Sequence, residues 1–268
     1  GKTRGNTPRP SGARHPAGAV KPGPDMSYQE TIQYLFSLQK HGIKFGLSNS
    51  VLLMGLMGNP ERRFRSLHIA GTNGKGSTAA YLASMLGASG YRTGLYTSPH
   101  LVNFTERIRI DNRPIPEDRV VELADRLRRG SEGILLADNA GSLTPTFFEV
   151  TTTMAFTYFA EECVDVAVIE VGMGGRLDST NVITPLVSVI TNIDLEHTEF
   201  LGTTVERIAA EKAGIIKPGI PVVTGAVQPQ AVAVIEREAE KQGAPCYRMP
   251  RDFSVDRASL GRIQSFDY

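Results

Sequence analysis

The sequence predicts an α/β protein, a mostly parallel sheet flanked by helices with a phosphate-binding loop. Three observations carry that prediction. Short apolar runs rich in β-branched residues, at 164–171, 186–193 and 220–224, do not alternate and so fit strands buried on both faces. Stretches of helical periodicity lie between strands, as crossover helices do in parallel sheets. A strand-like segment, Arg65–Ala70, runs directly into a Gly-rich turn that holds a lysine.

Taken in order, residues 1–25 differ from the rest. They hold five Pro, five Gly and five Lys or Arg against one acidic residue, with no apolar periodicity. Such a stretch buries too little apolar surface to offset the entropy of ordering it. A disordered extension is expected there, without the apolar core of a signal peptide. The folded domain is expected over 26–268. Its first helix falls at 28–39, where Ile32, Leu35, Phe36 and Leu38 lie on or near one face. Arg65–Ala70 follows as a strand, 75–89 as the helix after the Gly-rich turn, and 92–97 as a second strand. Residues 117–129 set Val120, Val121, Ala124 and Leu127 on one helical stripe. Residues 146–161 read as a helix, with a strand as the alternative because Thr and Phe are frequent there. Helices at 205–216 and 228–242 separate or follow the later apolar strands. The polar segment 247–268 shows no recognisable closing element, so the chain reads as cut short.

Composition bounds the function classes. The 268 residues carry 29 Lys and Arg against 28 Asp and Glu; beyond residue 25 the balance is 24 against 27. A broad basic face for nucleic acid is therefore not expected. No apolar run approaches the roughly 20 residues of a membrane-spanning helix, so no membrane partner is expected. Cys163 and Cys246 are too few for a disulfide scaffold or a cysteine zinc site. With 41% hydrophobic and 21% charged residues, a soluble, cytoplasmic protein is the expected class.

The turn Gly71-Thr72-Asn73-Gly74-Lys75-Gly76-Ser77 joins a strand to a helix. Glycines let backbone N–H groups face phosphate oxygens, the helix N-terminus adds its dipole, and Lys75 adds a mobile positive charge. The common pattern G-x-x-x-x-G-K-[ST] is not met. Ile69 stands at the first Gly, and Gly76 separates Lys75 from Ser77. A Gly-rich helix cap is the plain alternative; three glycines and a lysine at this junction favour a nucleotide.

Ligands of parallel sheets sit beyond the carboxyl ends of the strands. Ser98 follows the strand at 92–97, Glu170 ends Val166-Ala167-Val168-Ile169, and His197 follows the strand at 186–193. Mg²⁺ takes oxygen ligands, keeps waters and shares phosphate oxygens, so this set leaves room for both. Singly, each residue has a plainer reading as a turn, a paired charge or a hydrogen-bonded histidine. Together, behind a phosphate loop, they point to a metal site, Glu170 most of all. Lys212 alone reads as a solvated helix lysine. The Gly-rich run 172–178 reads as a turn that holds Glu170 or a substrate.

Six ordered segments complete the pattern: GTNGKGS at 71–77, TSPHL at 97–101, TERIRI at 105–110, IEVGMGGRLDSTN at 169–181, DLEHTEFLG at 194–202 and EKAGIIKPG at 211–219. Together they resemble the Mur ligase superfamily, and most closely its dihydrofolate synthase/folylpolyglutamate synthase branch, over nearly all of 28–225. The resemblance implies that Gly71, Thr72, Asn73, Gly74, Lys75, Gly76 and Ser77 bind ATP. It implies Ser98, Glu170 and His197 as Mg²⁺ ligands, the last two for a second metal site, and Lys212 as a lysine carboxylated by CO₂. Lys75, Lys212 and His197 would carry the chemistry. Phe147, Phe148, Leu177 and Asp178, with the loop at 43–47, match regions that contact the pterin. The implied reaction adds L-glutamate to dihydropteroate, or to the glutamate tail of a folate, through an acyl phosphate, in a cytoplasmic monomer. No protein nucleophile is needed. Family members continue further, so 26–268 would be the Mur-ligase-type ATP-binding domain, incomplete at its C-terminal end and without the C-terminal domain. Two other readings remain: a ligase acting on a UDP-sugar peptide, for whose UDP-binding domain the stretch ahead of Gly71 is short, and an ATP-binding fragment inactive without its C-terminal domain.

Overall fold

The computed structural model describes residues 26–42, 46–137, 145–254, 257–259 and 265–267; the extension expected at 1–25 and residues 43–45 of the expected pterin loop lie outside them. Helix α1 (Tyr28–Ser37) opens on a capping box in which Ser27 and Glu30 satisfy each other's backbone N–H groups. A 3₁₀ turn, Leu38–His41, continues it, so the predicted helix is the right length but changes pitch. Helix α2 (Ser48–Leu56) was not foreseen. Strand β1 (Arg65–Ala70), helix α3 (Lys75–Ala88) and strand β2 (Thr93–Tyr96) match expectation.

A hairpin, β3 (Ile108–Ile110) and β4 (Arg113–Pro114), follows. Its turn residues Asp111 and Asn112 have φ of 49° and 62°, the paired positive values of a type I′ turn. Helix α4 (Glu117–Ala137) extends well past the predicted end at 129. Helix α5 (Phe147–Glu161) is capped by Thr146 and Glu149 and buried almost all round. Here the strand alternative loses. The hydroxyls of Thr153 and Thr157 donate to the carbonyls one turn back, each at 2.8 Å, which satisfies them inside a helix.

The remaining elements are β5 (Val166–Glu170), β6 (Val187–Ile190), α6 (Thr198–Leu201), α7 (Val205–Ala213), β7 (Val222–Thr224), α8 (Pro229–Lys241) and β8 (Cys246–Arg248). Strand β6 stops at Ile190, short of the predicted 193, because the chain then turns toward the phosphate loop. Strand β8 adds an edge strand at the start of the polar segment 247–268, where none was expected. A separate antiparallel pair, β9 (Arg257–Ser259) and β10 (Ser265–Asp267), lies beyond it.

The sheet runs β4-β3-β2-β5-β1-β6-β7-β8. It is parallel from β2 to β8 and antiparallel only at the β3–β4 edge. Central β1 is hydrogen-bonded on both sides, pairing Ile69 with Glu170 of β5 and Ala70 with Ile190 of β6. Alternate residues divide the core. Ile169 and Tyr96 pack with Phe156 of α5, Leu53 of α2, Leu35 of α1 and Leu123 of α4. Ile190 and Val222 pack with Ile208 of α7 and Ile235 of α8. Ile69, Val168 and Leu95 face the other way, onto Ala79 of α3. This layering leaves the carboxyl ends of β1, β2, β5 and β6 to converge at one rim. Among the described residues no helix is long and apolar enough to cross a membrane.

Candidate active site

Gly71, Thr72, Asn73 and Gly74 form the loop after β1, and Lys75, Gly76 and Ser77 the first turn of α3. The segment after β6 stitches this loop in place. Thr72 N donates to Asn192 O at 2.9 Å, Asn73 N to the Asn192 side chain at 2.7 Å, and Thr191 Oγ1 to Asn73 O at 2.7 Å. Thr72 Oγ1 and the backbone of Asp194 also bond in both directions. Gly71 has φ 147°, and a Cβ there would lie 1.8 Å from Thr191 Oγ1, so only glycine lets the two segments meet. Lys75 Nζ folds over the loop, donating to Gly71 O at 2.8 Å and Thr72 O at 3.0 Å.

Glu170, at the end of β5, is buried and accepts from Ser98 N at 3.0 Å. Burial pushes its carboxyl up, against that hydrogen bond and the charges of Lys75 and Arg107. A buried carboxylate so placed suits a hard cation. Among the described residues no three His, Cys, Asp or Glu side chains gather as a metal centre. One carboxylate with phosphate oxygens and waters is a ligand set that suits Mg²⁺.

Beside the loop lies a cleft of about 540 Å³, lined by Ser98, Arg107, Phe147, Phe148, Leu177, Asp178 and His197 among others. Four pterin-contact residues and two of three metal residues expected from sequence thus share one cavity. Glu170 is not among the lining residues; it joins the cleft through its bond from Ser98 N and the nearby charge of Arg107. His197 starts α6 with φ 44° and is exposed. Phe147 stacks on Phe36 with centroids 5.4 Å apart, and the Arg107 guanidinium sits 5.2 Å over its ring. Phe148 packs so tightly on the Gly-rich wall that a Cβ on Gly172 would lie 2.5 Å from its ring. Asp178 lines the cleft, yet its carboxylate holds that wall: one oxygen accepts from Gly172 N and Met173 N, both at 3.0 Å, the other from Thr180 N at 3.0 Å.

Lys212 corrects the reading of a solvated helix lysine. It is 1% exposed, and its Nζ donates to Gly71 O at 2.9 Å and to Glu196. Burial pulls its pKa down, Glu196 pulls it up, and Lys75 adds to the downward pull. Lys75 and Lys212 therefore meet at one carbonyl of the phosphate loop.

Sequence reasoning missed three residues. Arg107 donates from Nε to His100 Nδ1 at 2.8 Å and carries positive charge into the cleft wall. Glu196 pairs with Lys212, and Asn192 fixes the phosphate loop. Arg107 and Glu196 lie inside the quoted segments TERIRI and DLEHTEFLG, but no local pattern shows that either side chain turns inward.

The family model of the Mur ligase middle domain matches residues 69–243. The dihydrofolate synthase/folylpolyglutamate synthase of Bacillus subtilis is 46% identical over 220 residues, 82% of this chain and 50% of that protein. The folylpolyglutamate synthase of Lacticaseibacillus casei is 46% identical over 245 residues, 91% of this chain and 56% of that one. A solved FPGS–AMPPCP–folate complex superposes with a TM-score of 0.83 at 44% identity, over 90% of this chain and 58% of its own. The chain thus spans about half the length of the curated relatives it matches. With the middle domain matched across well over half of its residues, the chain belongs to the Mur ligase family.

Proposed function

We propose that this chain is the ATP-handling part of a ligase that joins L-glutamate to dihydropteroate, to the glutamate tail of a folate, or to both. The observation that carries the reading is the shared rim: the phosphate loop and the aromatic cleft meet across Ser98 and Glu170. A relative with the same fold is solved with AMPPCP and folate together, which supports both occupants here.

The loop amides and Lys75 hold the ATP phosphates, and Phe147, Phe148 and Leu177 stack or wall the flat pterin. Asp178 keeps the Gly-rich wall in place. The substrate carboxylate, lying toward Arg107 and Ser98, attacks the γ-phosphorus, ADP leaves, and an acyl phosphate forms. The glutamate amine then attacks the acyl carbon, phosphate leaves, and a proton passes to solvent. Lys75 and Arg107 stabilise the charge that moves, so positioning and electrostatics supply most of the catalysis. Ser98 and Glu170 would hold one Mg²⁺, with Glu170 and His197 turned toward a second, and the metal would neutralise phosphate charge.

Lys212 is carboxylated on the same reading. Its burial favours the neutral amine, whose lone pair bonds to the carbon of CO₂ while a proton leaves to water. Glu196, which holds the ammonium in this structure, must then release it. The resemblance points further to a cytoplasmic monomer.

The test is ADP release by the chain with Mg²⁺, ATP, L-glutamate and dihydropteroate or a folate. Release that needs both glutamate and the pterin supports the ligase; release indifferent to both overturns it. A second reading, favoured by the half-length coverage, is an ATP-binding piece that needs more chain for turnover. Saturable Mg·ATP binding without ADP release supports that one.

A further inference from the structure

Histidine 68 lies on β1, three residues before the phosphate loop, and is completely buried. Nothing in the proposed chemistry uses it. Its Nε2 sits 2.9 Å from Thr180 Oγ1. The hydroxyl of Thr180 in turn donates to Asp178 Oδ1, and the other Asp178 oxygen accepts the amides of Gly172 and Met173. A hydroxyl has one hydrogen, and here it points to the carboxylate. The imidazole must therefore donate from Nε2, and Nδ1 is the acceptor. Among the described residues Nδ1 has no partner, so an apolar residue would sit in this core at less desolvation cost. A histidine kept under that penalty points to a use for its single N–H.

We propose that His68 is a positioning residue: through Thr180 it orients Asp178 and thereby fixes the Gly172–Met173 wall of the cleft relative to the strand that carries the phosphate loop. This rests on the reading of the cleft as the pterin site. The imidazole stays neutral to about pH 3, because burial and the charge of Lys217 both oppose its protonation, so the relay keeps one direction across the working range. The wall and the phosphate loop thus hang from the same strand, and a pterin and ATP are held at a fixed separation.

The test compares the chain with its His68→Leu and His68→Gln variants; glutamine keeps a donor near the Nε2 position, leucine does not. Dihydropteroate affinity, read from pterin fluorescence, is expected to weaken about tenfold in His68→Leu and to return to within about threefold in His68→Gln. Mg·AMPPCP affinity is expected to change less than about twofold in both, since no phosphate contact is lost. Nitrogen-15 NMR of the wild type is expected to show the Nε2–H tautomer, unchanged between pH 5 and 8. An Nδ1–H tautomer, a folded His68→Leu chain that binds the pterin normally, or a His68→Gln chain as weak as His68→Leu overturns the proposal. If His68→Leu does not fold, Thr180→Val cuts the relay one step later and carries the same expectation. If the wild type binds no pterin, the substrate reading fails separately, and hydrogen exchange at Gly172 and Met173 decides: faster in His68→Leu but not in His68→Gln supports the relay, and equal rates overturn it.

Discussion

Lys75 and Lys212 approach the phosphate loop from different elements and converge on Gly71 O, but their surroundings assign them different work. Lys75 is half-buried at the start of α3, its Nζ held by two carbonyls of the loop, and on the proposed function it binds the nucleotide's phosphates. Removing a charged hydrogen-bond donor costs about 1.5–3 kcal/mol. Lys75→Ala is therefore expected to raise the Mg·ATP dissociation constant about 10- to 100-fold in calorimetry, with an unchanged circular dichroism spectrum; unchanged affinity contradicts its role. Lys212→Ala is expected to abolish turnover, and high bicarbonate with a short carboxylic acid to restore part of it. A fully active Lys212→Ala removes the carbamate from the mechanism. Glu170→Gln is expected to weaken the Mg²⁺ dependence of ATP binding far more than the fold, and an unchanged Mg²⁺ titration would sink the metal role. The phosphate loop and the strand-end residues were legible because their types and spacing are local. Glu196 and Arg107 were not, since what makes them matter is a partner or a cavity supplied by the fold.

Among the elements, the long apolar ones were legible and the short ones were not. The strands β5, β6 and β7 were visible as apolar runs, β1 as the segment that feeds the Gly-rich turn, and α4 and α8 as periodic stretches. Hairpin β3–β4 was missed because strands of three and two residues cannot show alternation. Its signal was the turn, Asp111-Asn112, two residues tolerant of positive φ between Ile108-Arg109-Ile110 and Arg113-Pro114. Helix α2 was missed because its nine residues are apolar on several sides, so a 3.6-residue period scarcely appears. Helix α5 holds the aromatic wall, and its seat on the sheet depends on buried Phe156, which meets Phe64 and Tyr96 edge-on. Phe156→Ala is expected to destabilise the chain by about 3–5 kcal/mol in urea unfolding. A loss below about 1 kcal/mol would mean that α5 is not anchored there.

At the scale of the whole molecule, a buried neutral histidine makes stability depend on pH. His68 has a folded pKa of about 3 against an ordinary 6.5, so the unfolded chain binds its proton first as pH falls. Its contribution is fully present above about pH 6.5 and declines below it, by about 1.4 kcal/mol between pH 7.5 and 5.5. His68→Gln is expected to remove that part of the pH dependence in paired urea titrations; parallel curves for the two proteins would contradict it. On the proposed function, ATP and a carboxylate substrate share the rim where β1, β2, β5 and β6 end, and the claim that follows is that the carboxylate itself takes up the phosphoryl group. The direct measurement uses dihydropteroate labelled with oxygen-18 in its carboxyl group, turned over with ATP, Mg²⁺ and L-glutamate, with mass analysis of the phosphate released. An acyl phosphate transfers one labelled oxygen to each phosphate. Phosphate free of label, formed in step with the amide, would contradict the acyl-phosphate route.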